Sequence, residues 1–201
     1  MNKYGLYYNY QTIKDTLMII FKPLVLPTKV VENDNVISLY REEELVGINI
    51  FNVSEYIKIH ANGLIPLINE EILKVINSVL VSHGLEALEY QAESGFKVGE
   101  IIDIEEHPES DHLHICMVSI NEKEPLQIVC GAANARVGLK CVVATIGTFM
   151  RTGEQILFSK LLGIESYGML CSGKELGIEG YENKKGLLEL DETYQIGKDF
   201  Y

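Results

Sequence analysis

The residues best suited to chemistry lie in the second half of the chain. The stretch "HPESDHLHIC" brings together His107, Asp111, His112, His114 and Cys116. Zinc asks for about four converging ligands, commonly as paired Cys or His at short intervals. His107 and His112 have a compatible interval, but a second cysteine pair is missing. If 111–118 is a strand, His112, His114 and Cys116 share one face and Leu113 and Ile115 the other. That is the pattern of an ordinary half-buried strand, so no metal site is expected. Cys130 in "IVCGAAN" and Cys171 in "MLCSGK" both precede glycine turns, as a nucleophile can. A nucleophilic cysteine needs a positioned base or another source of lowered pKa. Neither has a histidine nearby in sequence, and both follow apolar residues as core cysteines do. "CSGKELG" has Gly173-Lys174 but lacks the first glycine and the trailing hydroxyl of a phosphate-binding loop. Glu105, Glu106, Glu109 and Asp111 form no defensible acid/base pair and read as a solvated rim. No catalytic residue, metal or cofactor is expected.

The elements that would carry these residues differ between the two halves. In residues 1–90, "DTLMIIF", "TKVVEN", "NVISLYR" and "LVGINIFNVS" read as strands, with "NDN" as a hairpin turn. "NEEILKVINSVLVSHG" then changes period. Ile72, Val75, Ile76, Val79 and Leu80 recur at helical spacing, Asn69 is a candidate N-cap, and Gly84 is the stop. This half is expected to be a small α+β domain ending in an amphipathic helix. "EYQAESG" (89–95) reads as a linker. From Phe96 onward, about five short strands alternate with glycine-rich turns, the pattern of a small closed or nearly closed β-barrel. The fold class is therefore mainly β with some α, in two domains, 1–90 and 91–201.

Composition narrows the function. The 201 residues are 47% hydrophobic and 23% charged, as in a folded soluble protein. No apolar run approaches the ~20 residues of a membrane helix. Met1 to Tyr10 lacks a cationic segment followed by an apolar run, so no secretory leader is expected. The four cysteines, without C-x-x-C spacing, read as reduced thiols in a cytoplasmic protein. A net charge of −12 argues against a broad electrostatic grip on nucleic acid and leaves room only for a local basic patch.

Four stretches, taken in order, resemble a known module. They are "VGEIIDIEEHPESDHLHICMV" (98–118), "LQIVCGAANARVGLKCVVA" (126–144), "KLLGIESYGMLCSGKELGI" (160–178) and "GLLELD" (186–191). Together they resemble the tRNA-binding domain found in the phenylalanyl-tRNA synthetase β chain, in methionyl-tRNA synthetases and in free-standing proteins. An N-terminal partner domain followed by this module looks like the YtpR-type proteins of bacteria. The resemblance implies an OB-fold, a five-stranded barrel that binds nucleic acid through one face and its loops, without catalysis.

The resemblance implies a role in RNA binding for Lys160, Ser166, Met169, Asn134, Arg136 and His112. In the family, the segment that is Ser166 to Met169 here forms a turn shaping the RNA face. Each residue also has a plain structural reading. Asn134 can cap its turn, Arg136 and Lys160 can be solvated charges, and Met169 can be core. The chain departs from the family pattern at His112 and Leu162, where a cation is usual, and at Ala133, often proline. The implied function is a non-catalytic protein that binds tRNA or another structured RNA. The alternative is a protein-interaction module that has kept the barrel and lost the RNA. The N-terminal domain would serve as a homodimer or protein-partner element.

Overall fold

The computed structural model places the strands in a six-stranded sheet, a five-stranded sheet and a two-stranded hairpin. It describes residues 4–201, leaving the first three residues of the Met1–Tyr10 stretch outside. Chain contacts divide the molecule into two units. One is built on the residues up to Ala92 with Thr152–Glu154, and the other comprises Glu93–Arg151 and Gln155–Tyr201.

The first unit holds β1 (Gly5–Asn9), α1 (Tyr10–Ile13), β2 (Thr16–Ile20), β3 (Lys29–Asn33), β4 (Val36–Arg41), β5 (Glu44–Phe51), β6 (Asn62–Ile65) and α2 (Glu70–Ser82). Its six-stranded sheet runs β3-β4-β5-β2-β1-β6, each neighbour antiparallel. The four expected strands appear within a residue or two, apart from the last, which ends at Phe51. Two strands were not read from the sequence, β1 and β6. β1 lies between β2 and β6 in the sheet and buries Gly5 through Tyr8 without alternation, the pattern of a strand covered on both faces. α2 begins where expected, with the Asn69 side chain accepting from the Ile72 N–H at 2.9 Å. Its buried face is Leu73, Ile76, Val79 and Leu80, so Ile76, Val79 and Leu80 of the expected stripe are buried, Leu73 joins them, and Ile72 and Val75 are half-buried. The helix stops because Gly84 takes φ +76, letting the Leu85 N–H close back on the Leu80 carbonyl at 3.0 Å.

The second unit holds β7 (Phe96–Glu106), β8 (His114–Ser119), β9 (Leu126–Cys130), β10 (Lys140–Thr145), β11 (Ser159–Leu161), β12 (Ile164–Ser166), β13 (Gly168–Cys171) and α3 (Gly173–Leu176). Five strands in the order β13-β10-β7-β8-β9 curl into a nearly closed barrel, consistent with an OB-fold. β7 is long enough to serve both halves because it bends. Its register with β8 shifts between Ile101 and Asp103, leaving Ile102 as an exposed bulge residue. Ile101, Cys116, Val118, Ile128, Cys141, Val143 and Leu170 fill the interior.

All four cysteines are buried and unpaired. Burial pushes the Cys141 thiol up to about 12 and Cys171 higher still. The hydrogen bond between the Cys116 and Cys130 sulfurs raises Cys116 and draws Cys130 down. These side chains behave as packing groups on the barrel's inner surface. The loop "CSGKELG" also proves structural. Ser172 caps α3 by accepting from the Glu175 N–H at 3.2 Å, and the Glu175 carboxylate accepts from the Ser172 N–H at 2.7 Å.

Interior space is tight at Gly99 on β7. A Cβ there would sit 2.5 Å from Val143 Cγ2 and 2.9 Å from Val118 Cγ1. Gly99→Ala is expected to cost about 1–3 kcal/mol of stability by overpacking. Urea unfolding monitored by far-UV circular dichroism checks this, and an unchanged midpoint would refute it.

Candidate nucleic-acid interface

The site grows from a hairpin appended to the barrel. β11 and β12 pair Ser159 with Ser166, Lys160 with Glu165, and Leu161 with Ile164. That register leaves a two-residue loop, Leu162 and Gly163, both at positive φ (44° and 83°). Two successive left-handed residues suit the twist of a tight hairpin. Glycine adopts this freely, whereas leucine does so at a cost of roughly 1–2 kcal/mol.

The hairpin's inner side is fastened to the barrel. Ser166 is only 2% exposed. Its hydroxyl accepts from the Val129 N–H at 3.1 Å and donates to the Gly168 carbonyl at 3.2 Å. Gln127 Nε2 donates to the Glu165 carbonyl at 2.8 Å, and the Tyr167 N–H returns to the Gln127 carbonyl at 2.9 Å. The buried His107 supplies a third tie. Its Nδ1 accepts from the Glu109 N–H, so Nε2 carries the proton and donates to the Leu161 carbonyl at 3.1 Å. The metal reading of "HPESDHLHIC" loses its first ligand here, because both ring nitrogens of His107 are engaged. Among the described residues, no three His, Cys, Asp or Glu side chains converge on a metal-sized site.

The outer side carries the chemistry. Lys160 Nζ lies 3.1 Å from Glu165 Oε1, and both side chains are largely exposed. The Tyr167 hydroxyl donates to Glu165 Oε2 at 2.6 Å. The Tyr167 hydrogen bond, and then Lys160, hold the Glu165 carboxyl below its ordinary range. Phe158 lies against Tyr167, with ring centroids 5.2 Å apart and planes inclined at 49°.

A second cluster joins the turn after β9 to the segment 186–189. Asn134 Nδ2 donates to the Leu187 carbonyl at 3.1 Å and to Glu189 Oε1 at 3.0 Å, while its Oδ1 accepts from the Leu187 N–H at 2.8 Å. Gly186 turns at φ +91 beside it, where a Cβ would meet Asn134 Oδ1 at 2.5 Å. Arg136 forks onto Glu189, with Nη1–Oε1 at 3.0 Å and Nη2–Oε2 at 2.7 Å. Arg136, then Asn134, hold the Glu189 carboxyl down to about 2. Next to this cluster opens a groove of about 290 Å³, lined by Val129, Cys130, Met169, Glu175 and Leu187 among others. His112 is exposed in the turn between β7 and β8, and its carbonyl lies 3.6 Å from where a Cβ on Gly131 would sit.

The six residues expected to bind RNA therefore divide. Lys160, Arg136 and His112 present exposed side chains, and Met169 forms a half-buried groove wall. Ser166 is buried with its hydroxyl engaged on both sides, a placement that ties the hairpin to the barrel. Asn134 clamps two distant segments rather than capping its own turn. Phe158, absent from the expected set, and Tyr167, part of the Ser166–Met169 segment, become neighbours through the β11–β12 register.

Residues 96–199 match the family described as "Putative tRNA binding domain". Residues 25–89 match a second family, a domain of unknown function. A relative from Bacillus subtilis, named "Putative tRNA-binding protein YtpR", is 37% identical over 198 residues, covering 96% of this chain and 98% of its own length. The chain belongs to the tRNA-binding-domain family. The same domain relates it to the phenylalanine–tRNA ligase β subunit of Ehrlichia canis, 45% identical over 53% of this chain but only 14% of that subunit. A solved MetRS-related protein from Pyrococcus horikoshii overlaps 53% of this chain and 88% of its own, at 22% identity and a TM-score of 0.40. The family match spans the barrel and the hairpin together, so Lys160, Arg136, His112 and Met169 all lie within the family's domain.

Structural and exposed members should separate by stability. Ser166→Ala strands the buried Val129 N–H and is expected to cost about 1–3 kcal/mol. Lys160→Ala removes one exposed ion pair and should change stability by less than about 1 kcal/mol. Chemical denaturation of the two variants checks the contrast, and equal losses would contradict it.

Proposed function

We propose that this chain is a non-catalytic tRNA-binding protein that meets RNA with the outer side of the β11–β12 hairpin and the adjoining groove. The family's domain coincides with the barrel unit, and a full-length relative carries a tRNA-binding name. The observation that carries the placement is the state of the exposed cations. Lys160 pairs with the exposed carboxylate of Glu165, and Arg136 pairs with that of Glu189 while also donating to the Asn134 carbonyl at 3.1 Å. Exposed ion pairs contribute roughly 0–1 kcal/mol, so a phosphate can replace either carboxylate at little cost. A net charge of −12 keeps this grip local.

The other reading, a protein-interaction module on the same barrel, is favoured by the exposed apolar side chains of Leu157, Phe158 and Leu162. For the first unit we propose a homodimer or partner role. β3 ends the sheet with all five residues exposed, Val30 and Val31 among them, which offers an edge for strand addition. Among the described residues no helix is long and apolar enough to cross a membrane. The unpaired buried thiols suit a reducing compartment, and we place the protein in the cytoplasm.

A titration of the purified chain against bulk tRNA across a salt series tests the RNA reading. Two phosphate contacts predict a log–log salt slope of about −1.4 to −1.8. Lys160→Ala and Arg136→Ala should each weaken binding and flatten that slope by about 0.7–0.9. Absence of binding at low salt would overturn the RNA reading in favour of a protein partner.

A further inference from the structure

We propose that the outer face of the β11–β12 hairpin is a stacking platform for unpaired RNA bases, restrained by Glu165. The inference rests on the RNA reading above and names the form of RNA it takes.

Strand register comes first. Lys160 faces Glu165 on the outer side, and continuing the register sets Phe158 across from Tyr167. The 5.2 Å ring separation agrees with that placement. The two rings are 47% and 37% exposed, so packing in the barrel explains neither. Phe158 gains little by standing in water, and Leu157 before it and Leu162 in the hairpin loop are exposed as well. Rigidity comes from the other side of the same hairpin, where Ser166, Gln127 and His107 tie it down.

Two exposed rings beside a cation match the needs of an unpaired nucleotide. The base presents its π-face to an aromatic ring, and its phosphate lies within reach of an ammonium group. A base inside a duplex is already stacked above and below and cannot present that face. The platform therefore selects single-stranded ends and loops. Glu165 sets its strength. Its carboxylate orients the Tyr167 ring through the hydroxyl and occupies Lys160, yet it repels an approaching phosphate. Glutamine keeps an oxygen for Tyr167 and removes the charge.

The test uses the full chain and fluorescence anisotropy with a labelled, unstructured oligoribonucleotide of about a dozen nucleotides, free and annealed to its complement. The single strand should bind more tightly than the duplex. Phe158→Ala and Tyr167→Ala should each weaken single-strand binding about 5- to 150-fold, the span of base–aromatic stacking. Phe158→Leu keeps the apolar bulk without the ring and should also weaken it. Glu165→Gln should strengthen binding several-fold, a gain that misfolding cannot produce. If the ring variants bind the single strand as the wild type does while Lys160→Ala still weakens it, the platform is overturned and the RNA reading stands. If neither wild type nor Glu165→Gln binds the single strand or bulk tRNA, both fall.

Discussion

β9 and β13 face each other across the barrel without a shared ladder, and the buried Ser166 hydroxyl bridges the gap. It accepts from one strand and donates to the carbonyl of the residue that opens the other. An orphaned polar group in this interior would cost about 1–3 kcal/mol, so the bridge is strongly specified. Where β12 lies, how the hairpin projects and which side chains face outward all follow from it. Gly168 completes the constraint, because a Cβ there would meet the Ala144 carbonyl at 2.9 Å. The Ser-x-Gly-Met segment is thus a hinge of construction, and its neighbours carry the exposed chemistry.

The electrostatics follow a single pattern. On this acidic protein the barrel's cations near the site are matched to carboxylates across segments: Lys160 to Glu165, Arg136 to Glu189, and Lys140 to Glu192. Such pairs hold loops in register while contributing little energy at the surface. They also make anion binding an exchange of partners instead of a desolvation of free charge. Arg136 and Asn134 converge on one carboxylate, which explains why Glu189 is the most strongly acidified group of the site. That cluster fastens the turn after β9 to residues more than fifty positions away, forming one wall beside the groove.

Much of the fold could be read directly from the chain. Periodicity located the helix and its Asn69 cap, and turn residues separated the strands of both halves. The buried strand β1 escaped because a strand covered on both faces loses the alternation that marks an amphipathic one. The helix stripe gained Leu73 because Ile72 and Leu73 are equally apolar, and packing against the core buries Leu73 fully and Ile72 only partly.

For the site, residue type settled what was available: an acidic body, few cations, thiols without bases, and a loop unsuited to phosphate. Those properties depend on local chemistry, which a chain carries wherever it folds. Ser166 and Lys160 show where that ends. Both lie on the same short hairpin six residues apart, both are polar, and one is buried while the other meets water. Strand parity and a hydrogen bond to a segment 37 residues away separate them. The pairing of Phe158 with Tyr167 arises the same way. Residue type and spacing determined which groups the protein owns; only tertiary structure decided which face outward together, because that depends on register and long-range contacts.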